Sequence, residues 1–435
     1  MRKTNTKKIF AQHLITVLLI CVMVFWGAGV PFLAAAEISS VDISTEETSP
    51  TTAPSTAVTT PAASSTSEGP DYETGNQEDQ PFAWQPPFEV EHDAYYVFDL
   101  ERGGTLFEKN SRMKRQGPLA VNTMLALLAL ENLDNKIALT VSREIAERSK
   151  NENILNIELR AGSKYSPEFL LHSVLLYDSK AAARVLAEAL AEDMAALADN
   201  MNRRARVLGM DSTEFMTTIS GELSAYSNLA DLARLMQQAV SMSTYNKIFQ
   251  TKSDIYFQAD QQPIYLENRM SYAWTWSNNL IKGSSLARAG LTYTIAYTAS
   301  GPDYSIMVLQ TSTAKSASTN SDLITSAVWE AFDIMEAVFE GYARTVLVTR
   351  GAHCTDIVQQ DGITVTLVYL DTVYYIRPIG AADFEPALQL SVSEVLPLPI
   401  EEGERLGQMI FTLPDQSRYV VNVGSDRDIL THNTT

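Results

Sequence analysis

The chain has 435 residues, 45% of them hydrophobic, and a formal net charge of −19. So acidic a body argues against binding nucleic acid or adhering to anionic lipid. At roughly 100–200 residues per domain, the length allows two or three domains, each with a core of its own.

The N-terminus is the one basic segment: Arg2, Lys3, Lys7 and Lys8 precede an apolar run from Leu14 to Trp26. Gly27, Gly29 and Pro31 follow, then Ala34-Ala35-Ala36 before Glu37. Residues 1–36 therefore read as a secretory signal peptide with a small-residue cleavage site. The apolar character runs on to Ala36, so an uncleaved anchor fits as well. Ile20 stands before Cys21 where lipoprotein processing wants a small residue, which argues against a lipid anchor. Removal of the signal would leave Cys354 as the only thiol, so packing rather than disulfides must stabilise the exported chain.

Residues 37–87 are rich in Ser, Thr, Pro, Ala and Glu without apolar periodicity, the composition of a disordered linker. Order is expected from residue 88. A strand over Ala94–Asp99, a turn at Gly103-Gly104 and a returning strand over Thr105–Glu108 form a hairpin. A strongly apolar helix follows over Leu119–Leu133. The next begins at Pro167 behind a Ser166 cap and runs through Leu176, and another covers Ala181–Ala191. Further helices are expected over Met194–Leu208, stopped by Gly209, and over Asn228–Val240.

Tyr272, Trp274 and Trp276 alternate at two-residue spacing, which suggests one buried face of a strand or, less simply, the lining of a ligand cleft. Leu291–Ala299 and Tyr304–Thr311 read as strands paired around Ser300-Gly301-Pro302-Asp303, and Ser321–Phe339 as a closing helix. Strands at both ends of a helical cluster suggest an α/β domain over 88–341 whose terminal segments share a sheet. Beyond Gly341 the period becomes two, over Thr345–Thr349, Thr364–Leu370, Thr372–Ile376, Ala387–Val392, Gln408–Leu413 and Tyr419–Val423. A small all-β domain is expected over 342–427.

Several stretches carry a resemblance. They are Val97-Phe98-Asp99 with Leu106-Phe107-Glu108-Lys109-Asn110, Ala126 to Glu131, Met201 to Ala205 with Leu208-Gly209-Met210, Tyr226-Ser227 leading into Asp231, and Asn268. In this order and spacing, from about Asp93 to Gly341, the chain resembles the D-alanyl-D-alanine carboxypeptidases of the low-molecular-mass penicillin-binding proteins. These serine peptidases (family S11) trim peptidoglycan stem peptides. The resemblance implies their transpeptidase-like fold, a helical cluster on an antiparallel sheet, here followed by the small all-β domain.

The family's chemistry uses three motifs. S-x-x-K at a helix start puts hydroxyl and amine on one helix face, and the matching positions are Leu119 and Asn122. S-x-N, which relays a proton and orients substrate, falls at Asp178, Ser179 and Lys180. K-T-G on the strand edging the cleft offers a cation for the substrate carboxylate and an edge for the peptide to lie along. It falls at Lys282, Gly283 and Ser284, with only the lysine kept. The framework thus survives while all three motifs are degenerate, which reads as a pseudoenzyme with no catalytic residue assigned. Asp178, Lys180, Lys282, Gly283 and Ser284 remain as binding candidates, with Asp178 expected to face Lys282 across the cleft. Two other S-x-x-K strings, Ser111 to Lys114 and Ser312 to Lys315, read as chance, as does Ser277-Asn278-Asn279.

His92, His172 and His353 lack ligand spacing, so neither metal nor cofactor is expected. Three functions stay open on this reading. One is an exported, non-catalytic family member that binds peptidoglycan or a cell-wall protein partner. The others are an active carboxypeptidase and a structural envelope module. Nucleic acid is excluded as partner, and membrane contact is expected only through an uncleaved N-terminus.

Overall fold

A computed structural model of the chain describes residues 84–430, apart from 152–158, 257–262, 279, 315–319, 359–361, 394–395 and 415–416. The expected signal and most of the expected linker lie outside the described residues. The frame is a five-stranded antiparallel sheet of β1 (Ala94–Asp99), β2 (Thr105–Lys109), β3 (Ile281–Ala289), β4 (Thr292–Ser300) and β5 (Ser305–Thr313). Its spatial order is β3-β4-β5-β1-β2, so the opening hairpin pairs with the last strand and β3 forms an edge.

Helices cover both faces. On one lie α1 (Pro118–Asn132), α2 (Arg143–Asn151), α3 (Pro167–Tyr177), α4 (Lys180–Leu190), α5 (Met194–Val207), α6 (Leu229–Ser241) and α7 (Ser243–Phe249). On the other lie α8 (Ser271–Trp276) and α9 (Asn320–Gly341). Strand alternation sorts the two cores: Thr294, Ala296 and Met307 face the helical cluster, while Tyr293, Ile295, Tyr297 and Val308 face α9. Covered on both sides, the sheet buries successive positions, from Thr292 to Ala299 on β4 and from Ile306 to Ser312 on β5.

Local signals set the helix ends. Ser166 accepts from the Phe169 amide at 3.2 Å, Asn228 from Asp231 at 2.8 Å and Asp193 from Ala196 at 2.7 Å. Gly209 takes φ +71° just past α5. α1 is apolar all round because it is the central helix, packed on every side.

The strand expected at Tyr272–Trp276 is instead the short helix α8, a correction to the sequence reading. Asn268 opens the turn by accepting from the Met270 amide at 2.9 Å, and the aromatics then fan along one helical turn. Trp276 stacks on Trp329 of α9 at 5.2 Å and 7°, with Tyr272 edge-on to it.

After Gly341 the chain forms β6 (Tyr342–Val348), β7 (His353–Val358), β8 (Thr364–Tyr369), β9 (Val373–Pro378), β10 (Ala387–Val392), β11 (Arg405–Thr412) and β12 (Arg418–Ser425). β6 pairs with β9, and the other five form a sheet ordered β7-β8-β12-β11-β10. A separate core of Val365, Leu367, Phe411, Val421 and Val423 sits between them. The sequence pattern missed β7, whose His-Cys-Thr-Asp-Ile-Val run is polar and half-exposed. Among the described residues no helix is long and apolar enough to cross a membrane.

Candidate functional site

Of the positions singled out from the sequence, Leu119, Asn122, Asp178 and Lys180 gather where α1, the α3–α4 joint and edge strand β3 meet, whereas Lys282, Gly283 and Ser284 lie at the start of β3. α1 starts hard against the strand Leu223–Ser227: a Cβ on Gly117 would lie 2.9 Å from Ser227 Cβ, so glycine is required there. Pro118 then opens the helix without wasting an amide donor. Leu119 follows at 0% exposure, inside the helical core, and Asn122 lies one turn on at 3%.

Asp178 ends α3 in the left-handed conformation (φ 56°), which an aspartate tolerates better than most residues. Ser179 at once caps α4, its hydroxyl accepting from the Ala182 amide at 3.3 Å. The Asp178 side chain is only 5% exposed. Its Oδ1 accepts from Asn122 Nδ2 at 2.8 Å and from Lys180 Nζ at 3.0 Å. Its Oδ2 accepts from the backbone N–H of Arg288 on β3 at 3.2 Å and lies 3.6 Å from Arg269. A buried carboxylate is costly unless paired and hydrogen-bonded, and these four partners meet that demand.

The chemistry available is limited. Nucleophilic catalysis needs a hydroxyl or thiol within hydrogen-bond reach of a base. At Leu119 there is an alkyl group sealed from solvent, and at Asn122 an amide already donating to Asp178. The β3 edge is also engaged, since the Arg288 N–H that would pair with an added strand is held by Asp178.

The expected pairing of Asp178 with Lys282 is corrected. The ion pairs of Asp178 run to Lys180 and Arg269. The β3–β4 register shifts between Ile281 and Gly283, so Lys282 sits in a bulge at the strand start and is exposed. Six residues separate it from Arg288, about 20 Å along a strand. Ser284 is fully buried and its hydroxyl accepts from Trp274 Nε1 at 2.7 Å, while a Cβ on Gly283 would meet the Phe249 ring at 2.5 Å. Lys180 and Lys282 thus reach solvent; Gly283 and Ser284 serve packing. Sequence reasoning missed Arg269 and Arg288, although the first directly follows the matched Asn268.

The stray motif strings are scattered. Ser111 is buried and donates to Glu108, whereas Lys114 lies 3.9 Å from Glu214. Ser312 accepts from the Asp93 amide at 3.0 Å, and Ser277 donates to the Trp274 carbonyl at 3.1 Å. Lys315 and Asn279 lie outside the described residues. His172 is buried beside Tyr256, and burial lowers its pKa, as suits a neutral core histidine. Among the described residues no group of three or more His, Cys, Asp or Glu is placed to hold a metal ion.

The profile of the D-alanyl-D-alanine carboxypeptidase family matches residues 80–313. The D-alanyl-D-alanine carboxypeptidase DacF of Bacillus subtilis (strain 168) is 24% identical over 198 residues, 45% of this chain and 49% of that protein. The chain therefore spans about half the length of this curated relative. Penicillin binding protein 5 from Haemophilus influenzae aligns over 80% of this chain and 100% of its own, with a TM-score of 0.59 and 16% identity. A peptidoglycan synthesis regulatory factor (PBP3) from Streptococcus pneumoniae aligns over 79% and 100%, with a TM-score of 0.65 and 15% identity. At these identities the structural likeness speaks for the fold.

Proposed function

Since the chain belongs to the D-alanyl-D-alanine carboxypeptidase family, we propose that it is an exported, non-catalytic member that acts in cell-wall metabolism by binding. The observation that carries this reading is the closed Asp178 cluster. The matched nucleophile position, Leu119, is fully buried, and the neighbouring carboxylate is bonded to Asn122, Lys180, Arg269 and the β3 edge. Leu119 offers no hydroxyl or thiol and the Asn122 amide is bound to Asp178, which supports a site without nucleophile or base. In this reading residues 1–36 direct export, 37–87 tether the protein, 88–341 form the carboxypeptidase-like domain and 342–427 the β-rich domain. The partner is peptidoglycan or a wall protein, and the name of the pneumococcal neighbour, a peptidoglycan synthesis regulatory factor, agrees with a regulatory role.

The test is incubation of the purified protein with a fluorescent penicillin, followed by intact-mass measurement. The expected result is no covalent penicilloyl adduct, because neither nucleophile nor base is in place. A stoichiometric adduct at any serine would sink the reading and leave an active carboxypeptidase in its place.

A further inference from the structure

The second sheet ends in an edge strand of unusual character. β10, Ala-Leu-Gln-Leu-Ser-Val over Ala387–Val392, is exposed along nearly its whole length and pairs only with β11 among the described residues. Its register with β11 sets Leu388 beside Phe411 and Leu390 beside Met409. Both leucines therefore lie on the core face of the sheet. Phe411 and Met409 are 3% and 5% exposed, whereas Leu388 and Leu390 are 58% and 36% exposed. The core face thus extends one strand beyond whatever covers it.

Proteins usually blunt such edges with lysine, proline or a bulge. β10 has none of these: no charged residue, no proline, and an unbroken register with β11. The opposite edge, β7, is protected in the ordinary way by His353 and Asp356, 3.3 Å apart.

From this we infer that β10 is a self-association edge, joining two copies of the chain antiparallel about a two-fold axis at Gln389. The strand's own sequence argues for a second copy. With Gln389 opposite itself, Leu388 of one copy meets Leu390 of the other, and Ala387 meets Ser391, large against large and small against small. This even register keeps all four leucines on the core face, whereas a one-residue slip would turn them to opposite faces. The net charge of −19 on each copy opposes association, so a contact between copies has to form at an uncharged strand such as this one. The contact is isologous and closes, so it gives a dimer and not a fibre.

The test uses the full chain with Cys21→Ser and Cys354→Ser, carrying Gln389→Cys on β10 or, as control, Val358→Cys on β7. Under mild oxidation the Gln389→Cys chain is expected to form disulfide-linked dimers several-fold faster than the control. Leu388→Lys should abolish that advantage. Because Leu388 is exposed, this variant keeps its fold, which circular dichroism checks. Sedimentation of the chain without added cysteines should show a species of twice the 48.0 kDa mass that is lost in Leu388→Lys. A monomer at micromolar concentration would overturn the inference. So would equal cross-linking from both edges, or association indifferent to Leu388→Lys, which would point to the N-terminal apolar segment.

Discussion

Asp178 is the residue on which the carboxypeptidase-like domain turns. Removing one partner of a buried ion pair strands the rest, and here Arg269, 20% exposed, and the Asn122 amide would both lose their acceptor. Asp178→Ala is expected to cost about 3 kcal/mol, read from urea denaturation. The same carboxylate explains why rebuilding the family pair should not restore chemistry. In the double variant Leu119→Ser, Asn122→Lys, the new amine would lie against Asp178, which favours its charged form and so removes it as a base. The new hydroxyl would sit in a sealed core. Fluorescent penicillin should therefore leave this variant unlabelled, and labelling would mean that the cleft opens. Leu119, Asn122 and Asp178 were located by counting along the stretches that resemble the family, and the structure brings Asn122 and Asp178 together. The other partners of Asp178 were not legible in the sequence, since the bulge at Lys282 is a matter of strand register that sequence does not display.

At the scale of elements, capping and periodicity gave α1 and α3 to α6 close to their observed ends, while α8 was misread. Six residues are too few to show a helical period, and alternating aromatics imitate a strand. What holds α8 is contact with α9, through the Trp276–Trp329 stack. Such pairs add about 1 kcal/mol beyond the area they bury. A double-mutant cycle with Trp276→Ala and Trp329→Ala should return a coupling of that size, and strict additivity would count against it. A second anchor of α9 is Glu330, which meets the chain entering β1. Burial pushes its carboxyl up, but bonds from the His92 side chain, the Glu91 and His92 amides and Tyr95 outweigh this and hold it at about 2. With the folded value below the ordinary 4.5, the bonds stabilise the protein fully above pH 4.5 and progressively less as pH falls towards 2. Glu330→Gln should lower stability at neutral pH by about 2 kcal/mol. It should also flatten the loss of stability through that acid window, which melting temperatures measured across pH would reveal.

Over the whole molecule, two bodies meet at Gly341–Tyr342, and what crosses the joint is apolar as well as polar: Tyr342 and Ile376 pack into the core beneath α9. The Tyr342 hydroxyl donates to the Leu106 carbonyl. Arg344 reaches the Asp303 carbonyl at 3.1 Å and Glu101 at 3.7 Å, and the Arg102 guanidinium lies 5.0 Å from the Tyr419 ring centroid. Exposed ion pairs and cation–π contacts each contribute only about 0.5–1 kcal/mol, far less than either core. The two bodies should therefore unfold semi-independently. Scanning calorimetry is expected to show two overlapping transitions, the smaller belonging to the β-rich part with its fewer buried residues. Arg102→Ala combined with Arg344→Ala should separate the transitions further, because it lowers the stability of whichever body melts first while leaving both cores intact. A single transition whose calorimetric and van't Hoff enthalpies agree would show instead that the joint transmits cooperativity. In that case a ligand on the β-rich part would alter the stability of the Asp178 cluster, whereas two independent transitions leave each body to bind its own partner.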